Sequence, residues 1–258
     1  MNDALLTVCV RSEQKGESPL YQREVLGISM PVLTLSSAEL FTETMPEIRT
    51  DLCLNTDDDE LILSVKKSFP QVEVIRREKR LSIGAVPKED VFRDSVLKME
   101  KKRSKSYDFL IDLDVTAPFR CAKDICGAVN KYLEDPQTDV VMSAVRSRRS
   151  PYYNMAVIGE DGHARRAIRS EYTAMQQAPA CYEINASIYV VSRDFLIRRM
   201  SFDLWQGYVS LYEMRDTGIL RAEQETDPAF LELVASYCEK SLPGYRDVLE
   251  RARLRCGR

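Results

Sequence analysis

Histidine is nearly absent from this sequence. The single one, His163, sits in the turn-like stretch "GEDGHAR" and reads as a surface loop residue. A multi-histidine metal site within one chain is therefore excluded, and a Ser-His-Asp triad lacks its base. No apolar run approaches the ~20 residues of a membrane-spanning helix. The first residues, "MNDALLTVCV", lack a basic leader followed by a long apolar stretch, so they do not read as a signal peptide. Neither a Walker A motif nor a G-x-G-x-x-G fingerprint occurs. A large excess of charge of one sign is also missing. A net −3 gives no whole-molecule attraction to nucleic acid or to anionic lipid, so neither is expected as a partner. The seven cysteines are odd in number and include no C-x-x-C pair. They read as small hydrophobes of a reducing cytoplasm, without a disulfide framework or a structural zinc.

What is present is an α/β rhythm. The chain has 258 residues, 44% of them hydrophobic, which suits one α/β domain with an appendage. Short apolar runs read as strands: "LLTVCV", "DLCLNT", "VEVIRR", "DFLIDLD", "DVVMSAV" and "INASIYVVS". Most are continuous rather than alternating, as in strands covered on both faces. Between them lie helix-length segments such as "DDDELILSVKKSF", "PKEDVFRDSVLKMEKKR", "AKDICGAVNKYLED" and "DPAFLELVASYCEKS". Acids open several of them and bases close them, in keeping with the helix dipole. The order implies a three-layer, Rossmann-like sandwich around a mainly parallel sheet. Residues 146–179 break the rhythm. "YNMAVI", a "GEDG" turn and "HARRAI" read as a hairpin-like excursion from a single domain spanning 1–258. The basic tail "PGYRDVLERARLRCGR" reads as a last surface helix.

In open α/β sheets ligands bind beyond the carboxyl ends of the strands. After the first strand, "RSEQKGESP" offers Arg11, Lys15 and Gly16, which suit phosphate oxygens or simply a polar surface loop. After the second, "NTDDDEL" offers Asn55 and Asp57; Asp57 or Asp58 either caps the next helix or walls a nucleotide pocket. After the fourth, "DFLIDLDVTAPFR" sets Asp112 and Asp114 two apart at the end of an apolar strand, hence on one side of it. Burying two acids needs a reason. One reason is a hard cation such as Mg²⁺, which takes one or two carboxylates plus substrate phosphates. Glu223 and Glu225 repeat the spacing before a late helix, where they either complete a metal site or favour the helix dipole.

These segments, in this order, resemble the acylneuraminate cytidylyltransferases, the CMP-sialic acid synthetase family. "DLDVTAPFR" resembles the family's D-L-D-V-T-S-P-L-R, and "APACYEINASIYVVSRDFL" its A-P-x-x-Y-x-x-N-A-S-I-Y-V-x-x-R-D-F-L stretch. "CLNTDDDEL" resembles V-V-S-T-D-x-E-E-I, and "RRSPYYNM" the S-P-Y segment that enters the family's dimerisation excursion. The resemblance implies a nucleotide-diphospho-sugar transferase fold, a homodimer, and transfer of CMP from CTP to an acidic keto-sugar with Mg²⁺ as cofactor. It implies that Arg11 and Lys15 face the triphosphate and that Asn55, Asp57 and Arg77 lie near the nucleotide. Asp114 would serve catalysis and meet metal or sugar. Gln176, Asn185 and Tyr189 would line the sugar pocket, and Glu223 and Glu225 would take the place of the family's D-x-D metal ligands.

The sequence departs from that pattern in the first loop. Where the family reads R-G-G-S-K-G, this chain has Arg11, Ser12, Glu13, Gln14, Lys15 and Gly16, so two glycines are lost and Glu13 faces the expected phosphates. Met175 stands where an arginine is often found. Two other readings go with these departures. One is a non-catalytic relative that binds a nucleotide or a protein. The other is a CMP-Kdo-like or other-base nucleotidyltransferase.

Overall fold

The computed structural model describes residues 1–11, 23–82, 86–198, 203–222 and 228–257. Lys15, Glu223 and Glu225, with the altered part of the first loop, lie outside the described residues.

In chain order, β1 (Asp3–Cys9) leads to a small ribbon of β2 (Glu24–Val25) and β3 (Ile28–Ser29), then α1 (Met30–Thr44). There follow β4 (Arg49–Thr56), α2 (Asp59–Ser68), β5 (Glu73–Arg76), α3 (Lys88–Arg103), β6 (Phe109–Leu113) and α4 (Ala122–Glu134). Next come β7 (Val140–Arg146), β8 (Ala156–Ile158), β9 (Ala164–Arg166), β10 (Tyr182–Ser192) and α5 (Arg193–Arg198). The chain ends with β11 (Val209–Glu213), α6 (Pro228–Ser241) and α7 (Tyr245–Arg255). The six strands expected from the apolar runs are all present. So are the helices that open with acids, and Asp58 caps α2 by accepting a hydrogen bond from the Leu61 N–H at 2.8 Å.

Seven strands form one sheet in the order β11-β7-β10-β6-β1-β4-β5. β6, β1, β4 and β5 run parallel to one another, as does β11 to β7. Only β10 runs against its two neighbours. This is the mainly parallel, Rossmann-like α/β sandwich that the strand rhythm implies. Among the described residues β8 and β9 pair only with each other, antiparallel, and form the hairpin expected within residues 146–179.

Strand parity divides the core. Ala4, Leu6 and Val8 of β1, with Phe109, Ile111 and Leu113 of β6, join a cluster that includes residues of α1, α2, α4, α6 and α7. Leu5 and Leu110 belong to a second cluster with Phe92, Val96 and Met99 of α3 and Leu196 of α5. Side chains alternate along a strand, so Asp112, two residues after Leu110, falls on the α3 side. The same parity brings Tyr189 of β10 beside it, since Tyr189 and Asp112 are register partners. The carboxyl ends of β1, β4 and β6 then lie side by side at one edge of the sheet.

Candidate functional site

At the end of β6 the two acids are nearly sealed from water, the Asp112 side chain being 1% and Asp114 12% exposed. They are bridged by a residue of the α3 layer. Lys88 Nζ donates to Asp114 Oδ2 at 3.0 Å and reaches Asp112 Oδ2 at 3.4 Å. The same ammonium lies 5.0 Å from the centre of the Tyr189 ring, within range of a cation–π attraction. From the loop after β11, Arg221 Nη2 donates to the same Asp114 Oδ2 at 3.1 Å and to Thr116 Oγ1 at 3.0 Å. Arg221 Nη1 donates to the Asn185 carbonyl at 3.1 Å. Asp114 Oδ1 accepts from the Thr116 N–H and hydroxyl, at 2.9 and 2.8 Å, which turns the chain out of the strand.

The electrostatics follow from this arrangement. Burial alone would push the Asp114 carboxyl up, but Lys88, Arg221 and the Thr116 donors outweigh it and hold Asp114 well below the usual carboxylate range. Burial would likewise depress Lys88, and the two acids instead raise it above an ordinary lysine. Asp112 keeps the mark of burial, its carboxyl being pushed up even with Lys88 nearby. Its Oδ1 has no hydrogen-bond partner among the described residues. Burial also pushes the neighbouring Cys9 thiol up, with Asp112 adding to the effect, so Cys9 is no ready nucleophile.

Behind the acids, Arg120 is 1% exposed. Its Nη1 donates to the carbonyls of Asp114, Ala117 and Ser187 at 2.8, 3.0 and 3.3 Å, and its Nη2 to Thr34 Oγ1 of α1 at 2.7 Å. One guanidinium thus ties the β6 turn, β10 and α1 together. Burial lowers it to about 10, so it stays charged at neutral pH and offsets part of the acid pair's charge.

The other expected residues fall into distinct settings. Asn55 at the end of β4 is fully buried. Its Oδ1 accepts from Arg77 Nε at 2.9 Å, and its Nδ2 donates to Ser95 Oγ at 2.8 Å. Asn55 and Arg77 are therefore brought together as a buried pair that fastens β4 to α3. Asp57 is partly buried just beyond β4, and Arg11 is exposed just beyond β1. Asn185 is also fully buried. Its Oδ1 accepts from Ser143 Oγ at 2.6 Å and from the Ser187 N–H at 3.1 Å, and its Nδ2 donates to the Gly218 carbonyl at 2.9 Å. The side chain braces a bulge in β10, where Ala186 has φ 53°, and it is the Asn185 carbonyl that meets the arginine of the cluster. Gly218 permits this approach, because a Cβ there would lie 3.1 Å from Asn185 Nδ2. Tyr189 stands at the acid pair. Gln176 is exposed in a short helical turn before β10.

Lys88 and Arg221 were not read from the sequence. One signal was available for Lys88: a basic residue at the first position of a helix opposes the helix dipole, so it invites a search for an acidic partner. For a cation, the site has the right donor chemistry in part. Asp112 and Asp114 are hard oxygen donors, and one oxygen is unpartnered. No group of three acidic, cysteine or histidine side chains is gathered among the described residues.

No protein-family model matches the chain. It is 29% identical over 245 residues to the post-translational flagellin modification protein B of Campylobacter coli, covering 94% of this chain and 98% of that one. It is 28% identical over 236 residues to the CMP-N,N'-diacetyllegionaminic acid synthase of Campylobacter jejuni, covering 92% and 96%. Among solved structures, a CMP:2-keto-3-deoxy-manno-octonic acid synthetase in complex with CTP superposes with a TM-score of 0.60 at 14% identity, covering 93% of this chain and all of that one. A 4-diphosphocytidyl-2C-methyl-D-erythritol synthase from Anaerococcus prevotii gives 0.59 at 13% identity, covering 91% and 96%. The structures share the fold. The sequence likeness to the CMP-N,N'-diacetyllegionaminic acid synthase spans nearly the whole chain, in line with the resemblance of its motifs.

Proposed function

We propose that this chain is a cytoplasmic cytidylyltransferase that joins CTP to an acidic keto-sugar of the sialic or nonulosonic type. The observation that carries this reading is the acid pair at the carboxyl end of β6, inside the "DLDVTAPFR" segment, in a chain related end to end to a CMP-N,N'-diacetyllegionaminic acid synthase. In the reaction the anomeric hydroxyl oxygen bonds to the α-phosphorus of CTP. The bond from that phosphorus to the oxygen bridging to the β-phosphate breaks, pyrophosphate leaves with the electron pair, and the hydroxyl proton passes to solvent. The products are the CMP-sugar and pyrophosphate.

The protein's task is then positioning and charge. Arg11 and Lys15 would face the triphosphate, with Asn55, Asp57 and Arg77 at the nucleotide end. Asn55 and Arg77 would act by fixing the strand end, since each already uses its side chain on the other. Tyr189 would bound the sugar side of the acid pair, with Gln176 contributing from the excursion and Asn185 shaping the bulge. Asp112 and Asp114, with Glu223 and Glu225, would hold Mg²⁺, which when bound supplies charge to offset that of the triphosphate. The second reading, a non-catalytic relative, is favoured by the altered Arg11–Gly16 loop, with its two lost glycines and Glu13.

Calorimetry with CTP and Mg²⁺ tests this. The parent chain is expected to bind CTP. Lys15→Ala should bind about 10- to 100-fold more weakly, since a hydrogen bond to a charged group contributes about 1.5–3 kcal/mol. No CTP binding by the parent would move the assignment to the non-catalytic reading. Equal affinity of the two proteins would remove Lys15 from the triphosphate.

The 146–179 excursion is proposed to join two copies. A two-stranded hairpin is marginal in water by itself. Here Met155, Val157, Ile158 and Ile168 are exposed on it. At its root, Val145, Arg146 and Glu183 share an open cavity of about 640 Å³ with Leu220, Leu233 and Tyr237. A two-fold partner would cover such a surface. Sedimentation at micromolar concentration should give a dimer, and a monomer would contradict the proposal.

A further inference from the structure

The acid pair already holds a positive charge of its own. Lys88 Nζ sits between Asp112 and Asp114, at 3.4 and 3.0 Å, where a cation shared by the two carboxylates would compete for the same oxygens. The contrast in exposure shows how it gets there. The Lys88 side chain is 39% exposed while the acids are 1% and 12% exposed, so the lysine reaches in from the solvent side and covers them. Its backbone follows Pro87 at the start of α3. An ammonium is unfavourable at that positive helix end, so the acids must supply its reason for being there. Its stem is four carbons long with freely turning bonds, which lets the head leave without moving the helix. A second observation concerns the acids themselves. Asp112 is almost wholly buried, yet its Oδ1 has no hydrogen-bond partner among the described residues.

We propose that Lys88 is a resident counter-cation of the acid pair, and that a divalent ion enters only by displacing it. This rests on the assignment of Asp112 and Asp114 as cation-holding acids. Without nucleotide the displaced ammonium exchanges two carboxylates for water alone, and the metal binds weakly. A nearby polyphosphate offers it a new partner, so metal and nucleotide bind cooperatively, each raising the affinity for the other by the same factor. Lys88 would thereby order the assembly of the site, favouring metal together with nucleotide over metal alone.

The test uses Mn²⁺ alone, with no nucleotide, titrated calorimetrically into the parent, Lys88→Met, Lys88→Arg and Lys88→Met/Asp114→Asn. Removing a charge about 3 Å from two carboxylates should tighten Mn²⁺ binding at least ~10-fold in Lys88→Met. Lys88→Arg should bind like the parent, and the double variant should lose the gain, which locates it at Asp114. Should circular dichroism show Lys88→Met misfolded, the same titration on Lys88→Gln decides, because its amide can still donate to Asp114. Unchanged Mn²⁺ affinity in the folded uncharged variant overturns the proposal, and so does a gain that survives Asp114→Asn. A protein that fails to bind CTP would still give a clear answer here, so this result and the cytidylyltransferase reading fail separately.

Discussion

Asp114→Asn should cut turnover about 10²–10³-fold while leaving the secondary structure unchanged, the usual effect of removing one electrostatic contact from a reacting site. The expectation comes from how differently the two oxygens of Asp114 are used. Oδ1 accepts two hydrogen bonds from Thr116 and shapes the turn. An asparagine oxygen can take both, so the turn should persist. Oδ2 faces Lys88 and Arg221. An amide nitrogen there brings donors against donors and removes the negative charge. With one acid left, the site would hold a cation poorly and leave Lys88 and Arg221 less constrained. Pyrophosphate release, followed alongside far-ultraviolet circular dichroism, checks both halves. Undiminished turnover would remove Asp114 from catalysis. Loss of the helical spectrum would make its role structural.

Arg120→Met should destabilise the fold by about 3–5 kcal/mol, as when a buried charge loses its partner. The methionine keeps much of the volume but none of the donors. The carbonyls of Asp114, Ala117 and Ser187 each lose the bond from Nη1, and Thr34 Oγ1 loses that from Nη2. The acid pair also loses its deepest compensating charge. Arg120→Lys should recover only part of the loss, because an ammonium cannot spread its donors over β10, the β6 turn and α1 together. Urea unfolding of the three proteins measures this. A loss below about 1 kcal/mol, the ordinary effect of a point substitution, would show that the guanidinium is not what ties these elements.

Much of the frame was legible because burial on both faces leaves a plain mark in sequence. The continuous apolar runs of β1, β6 and β7 gave themselves away, as did helices with acids first and bases last. α1 did not. Met30, Pro31, Val32, Leu33, Thr34 and Leu35 are all buried, so the helix shows no polar face from which to read a period. β11, "VSLYE", is a short edge strand with no residue fully buried, and its pattern is too weak to stand out. At the site, the spacing of Asp112 and Asp114 was enough to put both on one side of β6. The partners were not legible, because Lys88 arrives from another layer and Arg221 from a late loop, and sequence spacing carries no such distances. Asn55 and Asn185 illustrate the reverse case. Both stand where the parallel strands end, yet their amides face inward and brace the sheet. The bulge at Ala186 breaks the alternation on which a same-face reading of β10 would depend.

Activation of an acidic sugar by CTP releases pyrophosphate. Pyrophosphate release is the measurement that meets it most directly, with CTP, GTP, ATP and UTP each offered against a panel of sialic, legionaminic, pseudaminic and Kdo-type acids, with and without Mg²⁺. Release is expected with CTP, with at least one of these acids, and only when Mg²⁺ is present. Release that prefers another nucleotide, or none with CTP and any acid in the panel, would contradict it.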